Sequence, residues 1–232
     1  METPMNNYKN LEKKLGIEFK NPKLLIEALT HRSYLNEVPQ EKRSSNERLE
    51  FLGDSILSFI ISEWLFSHFP HSPEGTLTAF RSNLVKTETL AKTAQKLSLG
   101  NYLFLSKGER KSGGQENPTI LANTLEAVVG AIFLDRGLDL VKKFIHSQFK
   151  TILQNLTVKG ELKDFKSLLQ EKTQAKNKLS PTYKTVKEAG PSHAKVFTVE
   201  VFLGKKLLGK GQGKSKQAAE EEAAKNALEK LK

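Results

Sequence analysis

Cysteine is absent from the 232 residues, which excludes disulfides, a thiolate metal site and a cysteine nucleophile together. Long apolar runs are also lacking. The longest, Ile56 to Phe66, is broken by Ser58, Ser62 and Glu63, short of the roughly 20 residues a bilayer-spanning helix needs. The N-terminal METPMNNYKN has no apolar h-region, so no secretory signal is expected. Internal repeats, GxGxxG spacing and a Walker loop are missing too, and with them the usual cradles for an organic cofactor. These absences lead to an expectation of a cytoplasmic protein with no membrane association and no small-molecule organic cofactor.

What is present is charge. The chain carries a formal +11, and 38% of its residues are hydrophobic, enough for a sizeable core. Residues 1–160 hold 21 basic and 17 acidic side chains, whereas 161–232 hold 16 and 9, so the last third carries +7 of the +11. A surplus placed this way points to a polyanion, either nucleic acid or an anionic membrane face. The length suits one large domain or two smaller ones.

The stretch NERLEFLGDS, Asn46 to Ser55, reads as the first turns of a helix running to about Phe66. At 100° per residue Glu47, Glu50 and Asp54 share one narrow stripe, while Leu49, Leu52, Ile56, Phe59 and Ile60 take the opposite side. Phe51 lies beside the acids, where an ordinary solvated face would not put a large aromatic. A second helix, TILANTLEAVVGAIFLD from about Thr119 to Asp135, is apolar almost all the way round and therefore buried. Its main polar interruptions, Asn123 and Glu126, stand three residues apart on one face. A buried carboxylate needs neutralisation, a partner or a metal. Either a structural arginine (Arg48 or Arg81) holds Glu126, or a hard cation shared with Glu50 and Asp54 does. Three carboxylates and an amide oxygen suit Mg²⁺ or Mn²⁺ rather than Zn²⁺.

Elsewhere, residues 8–35 read as helical with a break at Asn21-Pro22 and end in THRSY, whose His31 fits a hydrogen-bonded packing role. Glu74 lies in HSPEGTL, at a fresh helix start, and Thr78 to Leu97 follow as helix, with Arg81 and Lys86 on it. KGERKSGGQENP (107–118) is a Gly- and Ser-rich basic loop. Its backbone amides, with Arg110 and Lys111, suit a phosphate, or it is a plain surface connection. The helical pattern fades from Thr151 into a short polar linker. Residues 164–232 then read as α-β-β-β-α: a helix from Asp164 to about Lys176, strands at 182–190, 195–203 and 206–213, and an Ala-rich helix from Ser215 to Leu231. Lys214 and Lys216 flank Ser215 where the last helix starts, and free N–H groups there favour phosphate.

NERLEFLGDS, with THRSY before it and ILANTLEAVVGAIFLD after it, resembles bacterial ribonuclease III. The GPSH turn and GKGQGKSKQAAEEEAA resemble that family's double-stranded-RNA-binding domain. The resemblance implies an all-α endonuclease domain (7–155), a linker (156–162) and an α-β-β-β-α RNA-binding domain (163–232). It implies a homodimer with Phe51 packing into the partner, and Mg²⁺-dependent cleavage of double-stranded RNA to 5′-phosphate and 3′-hydroxyl ends, as in ribosomal-RNA processing. Glu50, Asp54 and Glu126 match the family's metal-binding acids, with Asp54 and Glu126 catalytic. Glu47 matches the motif's first glutamate, and Glu74 an acid near the metal centre. Asn123 stands where the family usually has aspartate, which implies weaker metal affinity with activity retained. Gln170, Gln174, Pro191, Ser192, His193, Lys214, Ser215 and Lys216 are the RNA contacts expected, with Gln217 standing where the family usually has a second adjacent basic residue and Lys214 in a position to compensate. The alternative, resting on Asn123, is a non-cleaving double-stranded-RNA-binding protein on the same fold.

Overall fold

The computed structural model of the chain describes residues 4–231 apart from 39, 41–42, 71, 159–164 and 192–194. It divides into two compact units, 1–68 with 78–155 and 69–77 with 156–232. The helices up to residue 158 are α1 (Pro4–Leu15), α2 (Pro22–Ala28), α3 (Arg32–Leu35), α4 (Glu47–His68), α5 (Glu74–Val85), α6 (Thr87–Lys96), α7 (Lys107–Lys111), α8 (Pro118–Arg136) and α9 (Leu138–Val158), which make up the first unit apart from the start of α5 and the end of α9.

The unit is built around α8. Asn117 caps it by accepting from the Thr119 and Ile120 amides, and Pro118 opens it, where a missing N–H is no loss. Gly137, at φ +80°, stops it, a conformation that suits glycine. By length and composition α8 has the makings of a membrane span, although no such run was expected. Its residues Leu121, Leu125, Val128, Val129 and Ile132 are instead buried in this unit's core, against α4, α6 and α2.

The crossing of α4 and α8 is unusually close. A Cβ on Gly53 would lie 1.8 Å from the carbonyl oxygen of Glu126, and one on Gly130 would lie 2.4 Å from that of Leu49. Only hydrogen in place of a side chain lets the two backbones touch. Upstream, the Asn46 amide donates to the Thr30 carbonyl at 2.9 Å, and the Asn46 carbonyl takes the Glu50 amide at 2.8 Å. The start of α4 is thereby tied to the end of α2.

Three sequence expectations are corrected here. Thr78 to Leu97 is not one helix: the chain breaks at Lys86 (φ −68°, ψ 151°), and the Thr89 hydroxyl donates to the Asn83 carbonyl at 2.7 Å. Helix does not fade at Thr151; α9 runs to Val158 because Leu153 is buried and extends the packed face. The linker expected over 156–162 is thus helical in its first three residues, and the rest falls outside the described residues. Finally, the basic loop opens with α7, capped when Ser106 Oγ accepts from the Glu109 amide at 3.0 Å.

The second unit's elements are α10 (Phe165–Asn177), β1 (Thr182–Ala189), β2 (Val196–Leu203), β3 (Lys206–Gly213) and α11 (Lys216–Lys230). The strands form an antiparallel sheet in the order β1-β2-β3, with Val199 opposite Thr185 and Gly211. Leu169, Val199, Val201 and Leu208 meet Ala219, Ala223, Ala224 and Ala227 in its core. The helix lies directly on β3, since a Cβ on Gly211 would come 2.2 Å from the Ala223 amide nitrogen.

Candidate active site

The acids singled out in the sequence meet in one pocket of about 690 Å³, lined by His31, Arg32, Asn46, Glu47, Glu50, Phe51, Asp54, Thr119, Ile120, Asn123 and Glu126. The reason is the glycine crossing. Glu50 and Asp54 flank Gly53 on α4, and Glu126 precedes Gly130 by one turn of α8. With the backbones in contact, carboxylates from both helices open on the same hollow.

Burial, reinforced by mutual repulsion, governs its electrostatics. The Glu126 carboxyl is pushed up to about 7, first by burial and then by Asp54 and Glu50. Glu50 is raised by burial, against the lowering effect of a side-chain hydrogen bond from Asn123, with Glu47 and Asp54 raising it further. Among the described residues, no lysine or arginine forms an ion pair with Glu50, Asp54 or Glu126. Arg81 donates to Ser62 Oγ at 3.3 Å instead, and Arg48 is exposed. The structural-arginine answer to Glu126 is therefore not the one adopted.

A divalent cation fits this donor set, since every ligand type is hard oxygen and the carboxyls lack a counter-charge. Among the described residues, however, no three His, Cys, Asp or Glu side chains are disposed to hold a metal as they stand. Glu50, Asp54, Asn123 and Glu126, the oxygen ligands expected for a divalent ion, line one open acidic pocket.

The proton on Glu126 has a measurable consequence. Its ordinary value is near 4.5 and its folded value about 7, so between those pH values the folded chain binds more protons than the unfolded one. Stability is then fully present below the lower value and falls as pH rises through the upper one. Without metal, thermal denaturation should show a loss of about 1–2 kcal/mol over that window, allowing for solvent at a half-buried carboxyl. Saturating Mg²⁺ should flatten the profile.

Several pocket residues were not anticipated. Arg32 Nη1 pairs with Glu47 Oε1 at 3.6 Å, and Glu47 also accepts from Ser45 Oγ at 2.8 Å. His31 has the packing role expected, its Nδ1 bonded to Ser33 Oγ at 2.8 Å, but it lines the pocket as well. The signal was THRSY itself, just ahead of the acidic helix. Glu74 begins α5.

Of the two readings left open for the basic loop, backbone phosphate cradle or surface connection, its amide bonding fits the second. The amides of Arg110, Ser112, Gly113, Gly114, Glu116 and Asn117 all bond within the segment, and Arg110 Nη2 donates to the Leu103 carbonyl at 2.8 Å. Lys111 remains exposed. In the second unit, Gln170 is half-buried and Gln174 exposed on α10, with Gln174 Nε2 donating to Ser180 Oγ at 3.0 Å. Pro191 is exposed, while Ser192 and His193 lie outside the described residues. Ser215 caps α11, its Oγ accepting from the Ala218 amide at 3.1 Å, between exposed Lys214 and Lys216.

Comparison with known proteins agrees with this picture. Residues 21–155 match the ribonuclease-III-like family, and residues 165–231 match the double-stranded RNA binding motif. Ribonuclease 3 of Roseiflexus sp. is 46% identical over 95% of this chain and 94% of its own length. Ribonuclease 3 of Nitratiruptor sp. is 44% identical over 98% of both chains. The crystal structure of the nuclease domain of ribonuclease III from Campylobacter jejuni aligns at a TM-score of 0.58 and 40% identity, covering 64% of this chain and 97% of that one. An acidic pocket held between two helices, a following α-β-β-β-α unit and near full-length likeness lead to one conclusion: the chain belongs to the ribonuclease III family.

Proposed function

We propose that this chain is a divalent-metal-dependent endoribonuclease that cleaves double-stranded RNA to 5′-phosphate and 3′-hydroxyl ends. The observation that carries the proposal is the convergence of Glu50, Asp54 and Glu126 on one pocket in a chain that also carries a double-stranded RNA binding motif. The nuclease domain spans 7–155, a linker 156–162, and the RNA-binding domain 163–232. The relatives are bacterial, and in a bacterium the duplex substrates, ribosomal-RNA precursors among them, are cytoplasmic.

Glu50, Asp54 and Glu126 hold the cation, Mg²⁺ or Mn²⁺, and Asn123 contributes an amide oxygen while steadying Glu50 through its hydrogen bond. The chemistry a cation supplies when bound is neutralisation of the scissile phosphate and activation of water. Asp54 and Glu126 align the reacting groups, and Glu47 holds Arg32 at the rim. In the RNA-binding domain, Gln170 and Gln174 on α10 and the turn Pro191, Ser192 and His193 meet successive minor grooves. Lys214, Ser215 and Lys216 take the phosphates between them. Arg110 and Lys111 add positive charge from the nuclease domain.

Incubating a long RNA duplex with and without Mg²⁺ tests the function. The expected result is metal-dependent fragmentation with end-labelled 5′-phosphates. A duplex that is retarded on a gel yet stays whole in Mg²⁺ would favour the non-cleaving alternative.

The active form is a homodimer through α4. Phe51 is 78% exposed, and Phe59 and Phe66 on the same helix are 58% and 73% exposed, an apolar row better covered than left to water. Phe51→Asp should weaken dimerisation at least about tenfold, as expected of a buried aromatic anchor. Sedimentation at micromolar concentration would show the shift to monomer, and an unchanged dimer would refute the interface.

A further inference from the structure

One carboxylate of the second unit reaches a lysine of the RNA-binding scheme above. Glu188, exposed near the end of β1, pairs through Oε1 with Lys216 Nζ at 3.2 Å and through Oε2 with Lys195 Nζ at 3.3 Å. It sits directly opposite Phe197 on β2, and Lys216 Nζ also lies 5.7 Å over the Phe197 ring. The first residue of α11 is therefore fixed from two sides, by an anion and by an aromatic face. Lys214, two residues earlier, is exposed and has no such partner among the described residues.

We propose that Glu188 is a built-in competitor for duplex phosphate at Lys216. Its carboxylate occupies the side of the ammonium that a phosphate oxygen takes, so RNA docking at this point exchanges one anion for another. The inference rests on the assignment of Lys216 as a phosphate contact. Two consequences follow from the exchange. Affinity is lower than an unpaired Lys216 would provide. The carboxylate keeps Lys195 but loses its second counter-charge and draws in solvent cations, so fewer ions are set free on binding than the number of phosphate contacts implies. Glu188 thus sets affinity and salt response without touching RNA, holding Lys216 in place until a phosphate displaces it.

The test is fluorescence anisotropy of a labelled RNA duplex with the full-length protein, without Mg²⁺, across salt from about 50 to about 200 mM. Glu188→Gln should tighten binding about two- to fivefold at the low end, the range expected when an exposed pair is removed. It should steepen the log Kd against log salt slope by about one unit. Both changes should vanish in a Lys216→Ala background. If Lys216→Ala alone binds as tightly as wild type, the assignment of Lys216 to phosphate is wrong. If Lys216→Ala weakens binding but Glu188→Gln leaves affinity and slope unchanged, the competitor is overturned while that assignment stands. An equal gain from Glu188→Gln with or without Lys216 would also overturn it, revealing only a general charge effect. Glu188→Ser, run alongside with a melting curve for each variant, separates lost competition from lost folding.

Discussion

Glu126→Gln should reduce duplex cleavage in Mg²⁺ on the order of a thousandfold, the scale expected when one anionic ligand of a charge-stabilising site is removed. Binding of the duplex should change little, because the substitution is nearly isosteric and leaves the RNA contacts of the second unit, with Arg110 and Lys111, intact. Stability should move the opposite way. Glu126 carries a carboxyl pushed up to about 7 by burial and by Asp54 and Glu50, so a neutral amide relieves repulsion that the metal-free wild type retains above that pH. At pH about 8 the metal-free variant should be more stable by about 1–2 kcal/mol, discounted for solvent access. Single-turnover cleavage and thermal melts on one preparation measure both. Wild-type cleavage would exclude Glu126 from the machinery. Lower stability would mean that the carboxylate has a structural partner.

The second large effect concerns a residue with no functional group. Gly53→Ala places a methyl where a Cβ would be 1.8 Å from the Glu126 carbonyl oxygen and 2.6 Å from its carbon. Neither atom belongs to a flexible side chain, so α4 and α8 must separate by more than about 1 Å. Overpacking of this kind costs at least about 3 kcal/mol, a fall in Tm on the order of 10 °C for a unit of this size. Misplacing reacting groups by about 1 Å costs about a hundredfold in rate. The variant should therefore lose cleavage even below its lowered Tm, with its melt and its kcat measured together. A variant that melts like wild type would mean the crossing is looser than described.

The acids were legible because charge is conspicuous where it does not belong. Glu126 and Asn123 interrupt an otherwise apolar helix, and Glu47, Glu50 and Asp54 fall on a common stripe at helical spacing. The second unit was legible almost element by element, since period-2 strands and an alanine face are local patterns. Arg32 and His31 could not be placed on the pocket from local pattern. Their position depends on the Asn46 amide reaching the Thr30 carbonyl and on Phe104 bonding across to Leu29 and His31, contacts between residues distant in the chain. The 107–117 segment misled for a different reason. Its glycines and serines suggest an open loop, yet a single cap at Ser106 lets its amides close on their own carbonyls. The end of α9 was obscured because Gln154, Asn155 and Thr157 interrupt the apolar pattern just before the polar TVKGE, and the buried Leu153 outweighs them.

The meeting of Gly53 and Gly130 has a consequence for how this protein can change over time. Where side chains keep two helices apart, each exchange of one apolar residue for another alters their spacing. Here main chain rests on main chain, and the gap between the two ridges that bear the carboxylates is a fixed length that neighbouring residues do not set. Leucines and valines around it can be traded as the lineage drifts while that ruler stays the same.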